Sequence, residues 1–169
     1  MLAVDRMSVR STRRAFVERY GHAAALMLLF SGMCWGKPAI AGTLSIEIWN
    51  VRNGAGLVHA ALCPEAHFLK DDCPYSTEAP ARSGTTVVTF SNVPPGRFAV
   101  QAFHDENRNR KVDRTFLGVP REGIAFSNDA RIVLGPPKFS DAAFDQGAGS
   151  QAIRMRMRYM LGPSGPLKP

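Results

Sequence analysis

The sequence predicts an all-β fold, an antiparallel β-sandwich of about seven strands that follows a cleavable signal peptide. Two observations carry this prediction. Apolar and polar residues alternate in short runs, most clearly at residues 44–49 and 151–160, and this period of two is typical of a half-buried strand. Turn-forming residues separate the runs, and short strands with regular turn signals are typical of a two-sheet β fold.

The first half of the predicted domain (residues 42–161) holds four strands. Asn53-Gly54-Ala55-Gly56 predicts a hairpin turn between the first two, and Pro94-Pro95-Gly96 predicts a turn between the last two. The polar stretch 64–83 is predicted to be a loop. The strands are expected at residues 44–49, 57–63, 85–90 and 97–104.

The second half is more irregular. Gly and Pro punctuate residues 117–128, and Pro136-Pro137 ends a short strand predicted at 130–134. Residues 138–149 are predicted to be a loop with one helical turn at 140–144, and the last strand is expected at 151–160. The tail 162–169 contains three prolines and is predicted to be disordered.

Residues 1–41 are predicted to be a signal peptide. A basic segment precedes an apolar run at 23–35, which is shorter than the about 20 residues that a membrane-spanning helix needs. Ala39-Ile40-Ala41 then resembles a cleavage site. The alternative is an N-terminal membrane anchor that stays attached. Thr12-Arg13-Arg14-Ala15-Phe16-Val17 fits a twin-arginine signal and an ordinary secretory signal equally, and both predict a periplasmic or extracellular protein.

The charge of the mature region is mild. The whole chain carries +7, but residues 1–41 hold six of its 21 Lys and Arg and two of its 14 Asp and Glu, so the rest carries only +3. That charge does not indicate a nucleic-acid partner. No transmembrane span is predicted in the mature chain, and the expected partner is an unknown protein or an envelope ligand.

Cysteine usage agrees with export. Cys34 leaves with the signal peptide, and its neighbours do not resemble a lipoprotein motif. Cys63 and Cys73 remain, and an even pair in an exported chain predicts a disulfide. The alternatives are two free thiols or a metal-binding pair, although zinc sites usually need a second pair of ligands.

A candidate calcium site lies in the stretch that follows the predicted strand 97–104, here called the 105–113 loop. Oxygen-bearing side chains recur at Asp105, Asn107, Asn109 and Asp113. This spacing matches positions 1, 3, 5 and 9 of a calcium-binding loop, in which the carbonyl of position 7, here Lys111, is also a ligand.

The loop departs from the calcium pattern at two positions. Arg110 stands where a sharp turn favours Gly, and Phe116 stands where a bidentate Glu is usual. Glu122 or Asp129 would then supply a further ligand. With only two charged side chains among the four, we expect weak affinity, about 10⁻⁴–10⁻³ M. The alternative is a solvated polar turn, which Asn and Asp also favour.

Several segments occur together between residues 43 and 160: Val93-Pro94-Pro95-Gly96-Arg97-Phe98-Ala99-Val100, His104-Asp105-x-Asn107-x-Asn109-x-x-x-Asp113, Phe116-Leu117-Gly118-Val119-Pro120-Arg121-Glu122-Gly123, Phe126-Ser127-Asn128, and Pro136-Pro137-Lys138-Phe139 with Asp141-Ala142-Ala143-Phe144. This set resembles the exported bacterial family called domain of unknown function 2141. More distantly, it resembles transthyretin-like (prealbumin-like) sandwich modules. The resemblance implies an immunoglobulin-like or prealbumin-like sandwich and export, but no activity. The family usually has Gly at the position of Arg110.

Two functions are compatible with these residues. The favoured one is a non-enzymatic module of the cell envelope, either binding or structural, with a calcium-stabilised loop. The alternative is a metal-dependent, hydrolase-like enzyme that uses His104 with Asp105 and Glu122. The sequence contains no G-x-S-x-G, H-E-x-x-H or P-loop motif, and a histidine at a strand end also serves to hold a loop by hydrogen bonds.

A row of arginines marks the last predicted strand. Arg154, Arg156 and Arg158 alternate with apolar residues, so they lie on one face of the strand. Such a row can contact lipid phosphates or an acidic partner. It is also typical of an edge strand whose charges prevent pairing with other chains.

Overall fold

The computed structural model describes residues 41–133 and 135–166. Apart from Ala41, the predicted signal peptide lies outside the described residues, and so do the twin-arginine motif and the last three residues of the predicted tail. Within the described ranges, no helix is both long and apolar enough to cross a membrane.

The described residues form an all-β fold of two sheets. Besides the strands, the described part of the chain has one helical turn, α1 (Phe139–Ala142), and 3-10 turns at Glu65–His67 and Ser127–Asp129. Residues 41–133 and 135–166 contain eight strands, where about seven were predicted: β1 (Gly42–Val51), β2 (Leu57–Cys63), β3 (Tyr75–Pro80), β4 (Gly84–Val93), β5 (Gly96–Asp105), β6 (Gly123–Phe126), β7 (Phe144–Gln146) and β8 (Gln151–Arg156).

The smaller sheet has the strand order β4-β1-β8. β1 pairs with β4 in an antiparallel register, with Ile46 opposite Val88. β8 lies on the other side of β1 and is parallel to it, with Ile153 opposite Ile46. The prediction of a purely antiparallel fold is therefore wrong for this pair. β8 reaches β1 after β7 of the other sheet, and such a crossover allows parallel pairing where a hairpin does not.

The larger sheet has the order β3-β2-β5-β6, and β7 pairs with the start of β5. β3 and β6 lie in stretches that were predicted to be irregular. The strand predicted at 130–134 is wrong over its described part, because residues 130–133 form no strand. Asn128 and Asp129 have φ of 57° and 50°, and these left-handed residues turn the chain away from an extended path.

Both sheets contribute to one hydrophobic core. Leu44, Ile46 and Ile48 of β1 are fully buried and pack with the alternating residues of β2 and β5. A second cluster covers the opposite face of β5, where Ala99 contacts residues from α1 and from the segment that follows β2. β5 is therefore buried on both faces, and its end is a firm base for the 105–113 loop.

The predicted disulfide is confirmed. Cys63, the last residue of β2, is bonded to Cys73, and their Cα atoms are 5.0 Å apart. Both cysteines belong to the second cluster, together with Phe68 of the intervening segment. The bond therefore holds that segment against the larger sheet.

Candidate functional site

The 105–113 loop is built around Asp105, the last residue of β5. Its side chain is 0% exposed, and its carboxylate accepts hydrogen bonds from the backbone N of Asn109 (3.0 Å) and of Arg110 (2.7 Å). Nε2 of His59 on β2 lies 3.2 Å from the same carboxylate. A buried carboxylate at a strand end thus folds the loop back over the sheet.

The other predicted ligands lie in the same loop and contact one another. Oδ1 of Asn107 accepts from the backbone N of Asn109 at 3.1 Å, and Oδ1 of Asn109 accepts from the backbone N of Lys111 at 2.8 Å. The amide groups of both Asn residues donate to Asp113, at 2.7 and 2.9 Å. The side chains of Asn107, Asn109 and Asp113 therefore form one hydrogen-bonded group, and Asp105 joins it through the backbone N of Asn109.

Glu122 adds a second buried carboxylate to this group. It is 4% exposed, and its two oxygens accept from the backbone N of Glu106 and of Asp113, both at 3.1 Å. Burial raises the pKa of Glu122, and the negative charges of Asp105 and Asp113 raise it further. The structure thus brings one of the two predicted extra ligands to the loop.

Asp129, the other predicted extra ligand, lies elsewhere. Its carboxylate accepts from the backbone N of Arg156 at 2.6 Å, at the edge of the smaller sheet. Its carbonyl accepts from the guanidinium of Arg158 at 2.9 Å. Asp129 therefore contacts the β8 segment and takes no part in the hydrogen-bonded group of the loop.

The state of Asp105 follows from opposing effects. Burial, the largest of them, raises the pKa of a carboxyl, but the hydrogen bonds from Arg110 N, Asn109 N and His59 together outweigh it, so the pKa of Asp105 lies below its ordinary value. Asp105 is therefore ionised at neutral pH. A buried anion of this kind is stabilised by any cation that reaches it.

The types of side chain in the loop indicate which class of metal ion its oxygens would suit. No cluster of three or more His, Cys, Asp or Glu side chains is placed to hold a metal ion anywhere in residues 41–133 and 135–166. The predicted ligand set instead combines two carboxylates with Asn oxygens and the Lys111 carbonyl. Hard oxygen ligands of this mixed kind suit Ca²⁺ and not a transition metal.

His104, the candidate catalytic residue, is fully buried beneath the loop. Its Nε2 lies 2.8 Å from the carbonyl oxygen of Ala55, and its Nδ1 lies 2.8 Å from the hydroxyl of Tyr159. Burial lowers the pKa of His104, so the ring is neutral. Nε2 must then donate to Ala55, and Nδ1 accepts from Tyr159.

An ion pair lies next to this histidine. The guanidinium of Arg52 contacts both carboxylate oxygens of Glu106 and lies 4.6 Å from the centre of the Tyr159 ring. The paired charge of Arg52 holds the pKa of Glu106 below its ordinary value although burial, the largest effect, acts in the opposite direction. Arg52 and Glu106 also line an open cleft of about 540 Å³, with Thr115, Arg121 and Leu161.

Comparison with known families identifies the chain. A family model described as an uncharacterized protein conserved in bacteria (DUF2141) matches residues 46–154, which is more than half of the 169 residues. The chain belongs to the DUF2141 family. This confirms the resemblance to domain of unknown function 2141, while the more distant resemblance to transthyretin-like modules stays a prediction. No curated protein and no solved structure matches the chain.

The match to DUF2141 includes the residues of greatest interest. It spans the 105–113 loop, Glu122 and both cysteines. Tyr159 and part of its surroundings lie beyond the matched range. Tyr159 belongs to the residues that alternate with the arginines of the last predicted strand, but nothing in the sequence indicates its contact with His104.

Proposed function

We propose that this DUF2141 protein is an exported, non-enzymatic module of the bacterial cell envelope with a prealbumin-like sandwich fold, and that Ca²⁺ stabilises its 105–113 loop. The observation that carries the proposal is the carboxylate of Asp105. It is buried and ionised, and it accepts hydrogen bonds from the backbone N of Asn109 and of Arg110, which fold the loop over it.

The hydrogen bonds of the loop support calcium as the ligand. Side chains at positions 1, 3 and 5 of the pattern already accept from backbone N–H groups further along the loop, so the turn that wraps a cation is formed in advance. Glu122 offers a carboxylate in the place of the missing position-12 ligand. Arg110 has φ of 62°, the left-handed conformation for which calcium loops favour Gly.

The surroundings of His104 support a non-enzymatic role. A general base must reach the proton that it removes, but both nitrogens of this fully buried ring are engaged by Ala55 and Tyr159. The hydrolase alternative needs a ring that faces a substrate. We therefore favour His104 as a structural residue that supports the base of the loop.

Calorimetry and thermal unfolding test the calcium proposal. Millimolar Ca²⁺ should raise the Tm of the wild type, because a ligand that binds only the folded state stabilises it by mass action. Asp105→Ala should abolish the increase. Asp145→Ala is the matched control, since Asp145 is an exposed carboxylate on β7 and its variant should keep the full calcium shift.

Two outcomes would contradict this proposal. If Ca²⁺ leaves the wild-type Tm unchanged and produces no binding heat, the loop is an ordinary polar turn. If Asp145→Ala loses the shift together with Asp105→Ala, the ion acts through the overall charge of the protein and not through the loop.

Export needs a separate experiment. The protein should be recovered from the envelope fraction or the medium with Gly42 as its first residue, because Ala39-Ile40-Ala41 is a suitable cleavage site. N-terminal sequencing of that material provides the measurement. A chain from the same fraction that still begins at Met1 would show that the leader remains as an anchor.

A further inference from the structure

An apolar tip projects from the chain directly after the 105–113 loop. Residues 115–119, here called the apolar tip, form a tight turn in which Gly118 N donates to Thr115 O (2.9 Å) and Thr115 N donates to Val119 O (2.8 Å). Phe116 and Leu117 occupy its two central positions and are 98% and 77% exposed. An aromatic and an aliphatic side chain thus stand side by side in solvent.

The structure gives these two side chains no role in folding. Turn centres usually hold Gly, Asn, Asp or Ser, which favour the turn without exposing apolar surface. Here the turn is already held by its backbone hydrogen bonds, by Gly118 at φ of 80°, and by the guanidinium of Arg114, which donates to Gly118 O at 3.2 Å. Neighbouring exposed apolar residues on a hydrogen-bonded turn indicate a contact with another apolar phase.

Charges around the tip are sorted by sign. Between residues 105 and 122, all of the exposed charged residues are basic: Arg108, Arg110, Lys111, Arg114 and Arg121. The carboxylates of the same stretch are buried or half-buried: Asp105, Glu106, Asp113 and Glu122. The loop directs its own anions inward, so the exposed charges of residues 105–122 are cationic, and of these Arg110 is paired with Glu78 of β3. Arg114 contacts the tip at Gly118, and Arg121 lines the same cleft as Thr115.

We propose that the apolar tip docks on an anionic phospholipid bilayer, with Phe116 and Leu117 in the interfacial layer and the surrounding basic side chains at the lipid phosphates. Because Phe116 and Leu117 project from the surface, they are suited to insertion into the interfacial layer of a bilayer, which needs no preformed groove. The basic side chains complement anionic headgroups. A symmetric contact with a second copy would instead oppose two cationic surfaces. This inference names a partner for the envelope module proposed above and rests on that proposal only for export.

Vesicle co-sedimentation provides the test. The protein is used as recovered after export, with the same N-terminus in every variant. It should bind phosphatidylglycerol vesicles, bind pure phosphatidylcholine vesicles much more weakly, and dissociate at high salt because the charge attraction is screened. The double variant Phe116→Ser, Leu117→Ser should bind phosphatidylglycerol vesicles about tenfold or more weakly, since each substitution removes apolar surface that the wild type buries in the bilayer.

The basic residues are tested separately. Arg108→Gln and Arg121→Gln should each reduce the affinity for phosphatidylglycerol vesicles by about fivefold, as expected for one cation near an anionic surface. Val87→Ser on β4 removes a side chain that is 53% exposed. Arg97→Gln removes an exposed cation at the opposite end of β5 from the loop. Both control variants should bind like the wild type.

Several results would overturn the inference. The wild type would fail to bind phosphatidylglycerol vesicles, or the tip double variant would bind them as tightly as the wild type does. A third contrary result is sedimentation showing that the tip instead mediates a dimer. Thermal unfolding of each variant confirms that it is folded. Repeating the vesicle assay in EDTA separates this proposal from the calcium proposal. Vesicle binding through the tip should persist without Ca²⁺, and a calcium-dependent rise in Tm should persist in the tip double variant.

Discussion

The hydroxyl of Tyr159 lies 2.8 Å from Nδ1 of His104 and joins the C-terminal segment to the end of β5. The same hydroxyl accepts from the backbone N of Arg52 at 3.0 Å, so one oxygen satisfies two groups from distant parts of the chain. Burial raises the pKa of Tyr159 to about 12, and the phenol therefore stays protonated and donates to the histidine. Tyr159 therefore fixes His104, the residue that directly precedes the 105–113 loop.

Tyr159→Phe should lower the free energy of unfolding by about 1–3 kcal/mol, because it removes the hydrogen-bond partner of Nδ1 of the buried His104 and of the partly buried N–H of Arg52. Urea unfolding measures the change. Tyr75→Phe is the control, since the Tyr75 ring packs edge-on against Phe98 and its hydroxyl makes no hydrogen bond among the described residues. Equal losses in both variants would show that the Tyr159 network adds nothing specific.

The strands differ in how clearly the sequence predicts them. β2 was predicted with its observed bounds because a Gly-rich turn precedes it and Cys63-Pro64 ends it. β3 was missed, since it is a polar edge strand that ends at Pro80 and pairs only with β2. Its extended form depends on a neighbouring strand, and local sequence does not encode that neighbour.

The candidate site divides in the same way. The spacing of Asp105, Asn107, Asn109 and Asp113 is local, and it was enough to predict that these side chains gather. The contacts of His104 with Tyr159 and of Arg52 with Glu106 join residues that are 55 and 54 positions apart. No sequence spacing indicates such pairs, because the fold alone brings them together.

Acid should weaken the fold through His104. Burial lowers the pKa of His104 from its ordinary 6.5, so below pH 6.5 the unfolded chain takes up a proton that the folded chain does not. The stability that the neutral His104 contributes to the folded protein is fully present above pH 6.5 and is lost as the pH falls below that value. We expect the free energy of unfolding, measured in EDTA, to decrease as the pH falls below 6.5.

His104→Gln tests the origin of that decrease. The amide of Gln is able to donate to the carbonyl of Ala55 but does not titrate, so the variant should show a flatter pH profile than the wild type in this window, whatever its absolute stability. The same series of urea unfolding curves gives both profiles. If the two slopes are equal, another group takes up the proton.

The disulfide should contribute a large share of the stability. Cys63 and Cys73 are 10 positions apart, and closing a loop of this size stabilises a fold by roughly 2–3 kcal/mol. The double variant Cys63→Ala, Cys73→Ala should lose about that amount in urea unfolding. Reductant should destabilise the wild type but not the double variant. A wild type that is insensitive to reductant and equal in stability to the double variant would refute the prediction.

The backbone conformation of Arg110 is unfavourable for a residue with a side chain. Its φ is 62°, and in this left-handed conformation a side chain with a Cβ costs roughly 1–2 kcal/mol. Arg110 gains little in return, because its ion pair with Glu78 (3.5 Å) joins two largely exposed side chains and such pairs contribute little. The backbone N of Arg110 donates to Asp105, so the turn is needed to enclose the carboxylate.

Arg110→Gly should therefore stabilise the calcium-free protein by about 0.5–1 kcal/mol, the strain relieved minus the extra flexibility that Gly gives the unfolded chain. If the loop binds Ca²⁺, the relaxed turn should also strengthen binding, and the increase in Tm with calcium should be larger than in the wild type. Arg110→Ala is the matched control, because it removes the same ion pair but keeps the Cβ. Only Gly should stabilise the protein. Equal stability of the Gly and Ala variants would show that the side chain, and not the backbone conformation, determines the cost at this position.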